Sequence, residues 1–162
     1  MAAPRALAAG AALFFVVAPG VVAGLVPWLL TGWESRSAPL ALRLAGIPLV
    51  LAGALVLVES FVRFVREGRG TPAPVAPTEK LVVGGPYRWV RNPMYLAVGA
   101  AIAGQALLLA QWVLVAYLVL FALAVVAFVK LHEEPALRAR YGDQYDAYRA
   151  AVPGWWPRRP RA

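Results

Sequence analysis

Residues 93–131 read PMYLAVGAAIAGQALLLAQWVLVAYLVLFALAVVAFVKL, and how this run is divided decides the fold. Between Tyr95 and Lys130 the only strongly polar side chains are Gln105 and Gln111. The run is too long for one passage through a bilayer core of about 30 Å at about 1.5 Å per residue, so it is read as two helices, 93–108 and 112–131, reversing near Gln111. The first is short, reaching only about 24 Å, which leaves a partly re-entrant hairpin as the other geometry. Its start is marked by Asn92-Pro93: the Asn side chain is suited to accept from a free backbone N–H, and proline lacks the one N–H that would go unused.

Working outward, the chain of 162 residues is 61% hydrophobic with mean hydropathy +0.65, far too apolar for a soluble domain of this size. Two further spans precede the hairpin. Residues 6–30 carry no charge, with a kink or loosened turn expected from Pro19, Gly20 and Pro27; a cleaved signal peptide is the competing reading, against which stands the length of the apolar run. Residues 40–64 form the second span, with Arg43 placed to snorkel and Glu59 and Arg63 spaced to pair on the helix surface. Residues 68–77, GRGTPAPVAP, are too rich in proline and glycine for a helix and form an extended connector. Past Lys130 the composition turns charged: Pro135 opens a short helix, Gly142 ends it, Asp143 caps another and Pro153 stops that one. Trp155 and Trp156 beside Arg158, Arg159 and Arg161 form an interfacial anchor. The expected fold is therefore all-α, one integral membrane domain over 1–162 with about four transmembrane helices and a short amphipathic tail.

Fourteen of the sixteen Lys and Arg residues fall on one side of such a bundle, leaving Arg36 and Arg43 on the other. The positive-inside rule puts the fourteen, and both termini, in the cytoplasm, and the Ala-, Arg- and Val-rich composition points to a bacterial plasma membrane. The formal net charge of +8 flanks apolar spans instead of building a soluble basic domain, so anionic lipid is the expected partner and nucleic acid is not. Without cysteine, and with one histidine, neither a thiolate nor an ordinary zinc site is expected. A helical hairpin returns its ends to one surface, so residues 78–95 and 130–153 are expected to meet there.

Residues 84–95, GGPYRWVRNPMY, combine Tyr87, Trp89 and Tyr95 with Arg88, Arg91 and the positive end of a helix; Glu133 and Glu134 lie beyond the hairpin. Carboxylates, aromatic faces and an anion-favouring helix start suit a zwitterion with a cationic centre, a description that fits S-adenosylmethionine. The bland readings are aromatic anchoring at the interface and solvated acids.

The stretch GGPYRWVRNPMY, followed about 40 residues on by HEEPALRARYGDQYDAYRAAVP, resembles the isoprenylcysteine carboxyl methyltransferase and phospholipid methyltransferase superfamily of integral membrane enzymes. The usual pattern there is G-x-Y-x-x-x-R-H-P-x-Y, an apolar hairpin, E-E, an aromatic-Gly pair, and Y-x-x-Y ending in V-P. The likeness runs from Glu79 to Pro153 and is specific for the superfamily, not for a substrate. It implies S-adenosylmethionine as cofactor, bound by Glu79, Lys80, Leu81, Val82, Tyr87, Asn92, Pro93, Met94, Tyr95 and Glu133. Arg91 and Glu134 are expected to orient the catalytic site and Lys130 to offer charge to the acceptor, a hydrophobic or membrane-associated carboxylate, thiol or lipid amine at the cytoplasmic face. Two positions depart from the pattern. Asn92 replaces the family histidine and cannot take up a proton near neutral pH. Lys130 stands near the place of a substrate-contacting arginine and offers charge without a bidentate fork. A non-catalytic membrane protein that keeps the fold to bind lipid or a partner is the alternative, favoured by Asn92; a transporter has less support, since the spans hold few ionisable groups and no repeat.

Overall fold

The computed structural model describes Leu13, residues 17–68 and residues 79–160. Most of the connector expected over 68–77, and the start of the first span, lie outside them. Among the described residues every regular element is helical: α1 (Val17–Thr31), α2 (Leu40–Glu67), α3 (Pro93–Leu109), α4 (Trp112–Tyr141) and α5 (Asp143–Ala151), with a 3-10 turn at Gly85–Arg88. Helices α2 and α4, 28 and 30 residues long, are long and apolar enough to cross a bilayer. The 17 residues of α3 reach only about 25 Å.

The second helix runs past its expected end at 64, and α4 runs on through a π turn to Tyr141, its last turns being the short helix that Pro135 opens and Gly142 ends, as expected. The charged tail is thus the prolongation of a spanning helix. Helix α3 ends one residue later than expected, in a two-residue reversal. Ala110 takes the left-handed conformation (φ 53°), and the N–H groups of Ala110 and Gln111 bond back to the carbonyls of Leu107 and Ala106. This 6→1, 5→2 pair is the Schellman arrangement, here with alanine where glycine is usual.

Helices α2 and α3 pack antiparallel along small residues. A Cβ on Gly53 would come within 2.6 Å of the Ala97 carbonyl oxygen, and one on Gly46 would overlap the carbonyl of Gly104. Such a seam lets two backbones approach closely where hydrocarbon outside offers no hydrophobic drive for association. Ile102, wholly buried, lies on α3 between these contacts.

The irregular turn expected near Pro27 is a π-helical turn over Val21–Leu25. Proline has no N–H for the carbonyl four residues before it, which leaves Ala23 unpaired within the helix. Gln105 Nε2 donates to the Ala23 oxygen at 2.7 Å, and the Tyr117 hydroxyl to Val22 at 2.8 Å. The polar interruption of α3 therefore exists to satisfy a broken helix beside it. A second π turn, Val129–Glu133, precedes Pro135 in the same way.

At the end of the bundle where α3 turns into α4, Arg43 does more than snorkel. Its Nε donates to Leu108, an end-of-helix carbonyl, at 3.0 Å, while Gln111 Nε2 donates to Glu34 at 3.0 Å. Trp28, Trp33 and Trp112 are exposed toward this end, and Trp89 and Trp156 toward the other. Between them the outward faces of α2 and α4 are bare: Leu55 is 72% exposed, Leu120 65% and Leu123 66%. Apolar exposure on this scale, flanked by tryptophan, is what a bilayer covers.

Candidate functional site

Two short segments far apart in sequence meet at the open ends of the α3–α4 hairpin. Tyr95, in the first turn of α3, donates to Glu133 Oε1 at 2.5 Å. Four residues earlier, Arg91 Nη1 donates to Glu134 Oε1 at 2.8 Å and to the Tyr145 hydroxyl at 3.1 Å, with Arg149 Nη2 at 3.6 Å from the other Glu134 oxygen. The Arg91 and Glu134 side chains are 13% and 16% exposed, so this ion pair is held largely away from water. The hairpin geometry makes the meeting possible, and the π turn over Val129–Glu133 sets the two adjacent glutamates so that each reaches a different residue of 91–95.

The tail then wraps the motif. Arg91 N–H donates to Pro153, Arg158 N–H to Trp89, and the Tyr148 hydroxyl to the Tyr87 carbonyl at 2.7 Å. Asn92 is the N-cap residue by position, as expected, but its side chain does not cap α3. Its Nδ2 donates instead to the Gly154 carbonyl at 3.0 Å, because the returning tail presents an acceptor there. The first-turn N–H groups of α3 thus lack the side-chain acceptor expected of Asn92. Asp143 does not cap α5 either: Gly142, at φ 52°, occupies that position and supplies the turn.

Tyr87 is the buried centre of the 84–88 turn, 5% exposed, with its ring 5.7 Å from that of Phe64. Its hydroxyl finds no hydrogen-bond partner among the described residues. Burial first, then Tyr148, Glu133 and Tyr95, hold that hydroxyl well above its ordinary pKa, so it is a neutral donor facing the cluster. Burial also raises the Glu133 carboxyl, opposed by its hydrogen bond from Tyr95; Glu133 lies beyond the uncharged, spanning part of α4. The Tyr148 hydroxyl is raised by burial against the pull of Arg91.

The turn is supported from α2. Arg63 joins Glu59 and Glu67 at 2.8 and 2.9 Å, and Glu67 Oε2 accepts from the Gly84 N–H at 3.0 Å. The pairing expected at the helix surface is therefore a bracket for the motif. Gly85, at φ 53°, holds a conformation that favours glycine, and a Cβ on Gly84 would push the Glu67 carboxylate off the N–H it accepts from.

The structure brings together Tyr87, Arg91, Tyr95, Glu133 and Glu134, with Asn92 tied to the tail next to Arg91. Pro93 and Val82 are buried, Leu81 and Met94 half-buried. Glu79, Lys80 and Lys130 are exposed and take no part in this cluster. Tyr145, Tyr148 and Gly154 are contributors that sequence reasoning left without roles; the signal was the Y-x-x-Y spacing and the V-P that follows it. Trp155, expected in the interfacial anchor, turns inward, while Trp156 is 84% exposed. Trp155 and Tyr95 stand at one end of an apolar groove of about 390 Å³ between α3 and α4, with Gly99 and Ala103 on one wall and Phe121 and Val125 on the other.

A family model described as phospholipid methyltransferase matches residues 42–144, well over half of the chain, taking in all but the first two residues of α2, the motif, the hairpin and both glutamates. No curated protein and no solved structure matches the chain.

Proposed function

The chain belongs to the phospholipid methyltransferase family, and from that premise we propose that it transfers a methyl group from S-adenosylmethionine to a hydrophobic or membrane-associated acceptor at the cytoplasmic face. The observation that carries the reading is the Tyr95–Glu133 hydrogen bond beside the unpartnered, buried Tyr87 hydroxyl. A carboxylate already fixed by one donor, next to a hydroxyl with nothing to bind, fits a ligand bearing both a cation and polar groups.

S-adenosylmethionine, when bound, supplies an activated methyl group. Glu133 supplies negative charge for its cationic groups, Tyr95 fixes one Glu133 oxygen and leaves the other free, and the Tyr87 hydroxyl donates. Leu81 and Val82, with Asn92 to Met94, would complete the site from the motif side, the α3 start favouring a carboxylate, whereas Glu79 and Lys80 could reach a ligand only from the exposed surface. Arg91 and Glu134 act by position: paired to each other and to the tail, they hold 91–95 and 133–134 in register. Catalysis is then mainly alignment and exclusion of water. A carboxylate or thiolate acceptor needs no base, so Asn92 is compatible with either; a lipid amine has to arrive unprotonated or pass its proton to another group. Lys130, exposed beside the exit of α4, is suited to an anionic acceptor headgroup.

The test is titration of S-adenosylhomocysteine into purified, detergent-solubilised protein, followed by incubation of membranes with labelled S-adenosylmethionine and identification of the labelled product. Binding and a labelled hydrophobic product are expected. No binding in the wild-type protein would leave the non-catalytic reading, which the structural use of Asn92 favours.

A further inference from the structure

Helix α3 carries small residues on two faces, and the two are used differently. The Gly104 face closes on Gly46 and admits no added atom. The Gly99 face does not close: a Cβ there would meet Leu118 at 3.7 Å and Phe121 at 3.9 Å, ordinary contact, with the groove running on beside it. Leu120 and Leu123, on the face of α4 turned away from the groove, are 65% and 66% exposed, so the phase around the helix pair is read as the hydrocarbon of the bilayer. One end of the groove meets Tyr95, the residue bonded to Glu133.

We propose that this groove binds one hydrocarbon chain of the methyl acceptor, that Gly99 and Ala103 set its depth by withholding side-chain bulk, and that Trp155 closes it at the end next to Glu133. The inference rests on the proposed methyl transfer for calling the ligand an acceptor. At roughly 30 Å³ for a water-sized group, about 390 Å³ holds on the order of a dozen methylenes, one chain and not two. Its side chains are apolar apart from the tips of Tyr95 and Trp155, which rules in hydrocarbon and leaves a polar headgroup only the Tyr95 end. A chain lying there delivers its head beside Glu133, and the tail that presents Trp155 is fastened to the motif by the Asn92–Gly154 bond. The device is therefore a depth gauge in the bilayer coupled to the site at its surface.

The probe is a lysophospholipid with a photoactivatable diazirine in its single acyl chain, added to the full-length protein in bilayers and mapped after irradiation by mass spectrometry. Adducts should concentrate on Ala103, Phe121 and Val125 and fall at least fivefold in Gly99→Leu, with S-adenosylhomocysteine affinity unchanged as evidence of folding. Should Gly99→Leu fail to fold, Ala103→Leu on the same wall gives the same reading at Phe121 and Val125. Adducts on Leu120 and Leu123 as frequent as on the groove walls, or undiminished labelling in a folded filled variant, overturn the proposal. So does occupation by a second copy, read as a disulfide dimer of Ala103→Cys in a chain that has no cysteine of its own. The two readings fail separately, because absent S-adenosylhomocysteine binding removes the methyl transfer and uniform labelling removes the groove.

Discussion

At the scale of single residues, the cluster divides into groups free to meet a ligand and groups already committed to the fold. Glu133 has an oxygen to spare, whereas Glu134 is held by Arg91 and Arg149. Glu133→Ala and Tyr95→Phe should therefore each weaken S-adenosylhomocysteine binding, measured by calorimetry, the second by about tenfold, the worth of one hydrogen bond to a charged group of roughly 1.5 kcal/mol. Arg91→Ala should act differently, loosening the tail because Glu134 loses its closest partner; breaking so enclosed a pair costs on the order of 3 kcal/mol, read as faster proteolysis after Tyr141. A pH dependence follows from burial. Since burial raises the Glu133 pKa, acidification neutralises it sooner than an ordinary glutamate of about 4.3. Affinity for S-adenosylmethionine should thus begin to fall at a pH above that value, while Glu133→Gln binds weakly at every pH. These roles were half legible: the motif names Tyr95 and Glu133, but only the fold shows that Asn92 serves the tail, since an N-cap and a tether look alike until an acceptor such as Gly154 is placed.

At the scale of elements, the helices were legible because uncharged runs leave a bilayer few alternatives, and their seams were not, because glycine carries no periodic signal in a helix apolar on all sides. Gly53 is the clearest case. Gly53→Ala should destabilise the solubilised protein by about 1–3 kcal/mol, as its Cβ has no room against Ala97. The hairpin turn argues the opposite sign. Ala110 sits at φ 53°, where glycine is easier, so Ala110→Gly should raise thermal stability by about 0.5–1 kcal/mol. The π turns belong here too. Pro27 and Pro135 announce a disturbance in sequence, yet nothing local says that Gln105 will cross from another helix to answer the first, or that the second will aim two adjacent glutamates at one motif.

At the scale of the whole molecule, the question is which side of the membrane holds the cluster. Its residues share one end of the bundle with most of the basic side chains, among them Arg66, Arg88, Lys130 and Arg149, while Arg36 and Arg43 close the opposite end against Leu109 and Leu108. The proposed methyl donor, being soluble, and a positive-inside bias predict the same orientation, with the cluster in the cytoplasm. Since the chain has no cysteine, single cysteines report this without background. In intact cells a membrane-impermeant maleimide should label Ser35→Cys in the loop between α1 and α2 and leave Gln144→Cys unlabelled until the membrane is opened. Ser35 and Gln144 are both exposed, so unequal labelling reflects the bilayer and not burial. The reverse pattern would put the basic residues and the cluster outside together, where the cell keeps no pool of methyl donor, and would separate the fold from the proposed activity. Equal labelling of both positions from outside would mean that α2, which carries the Ser35 loop at one end and the cluster at the other, does not cross the bilayer, whatever depth the 17 residues of α3 reach.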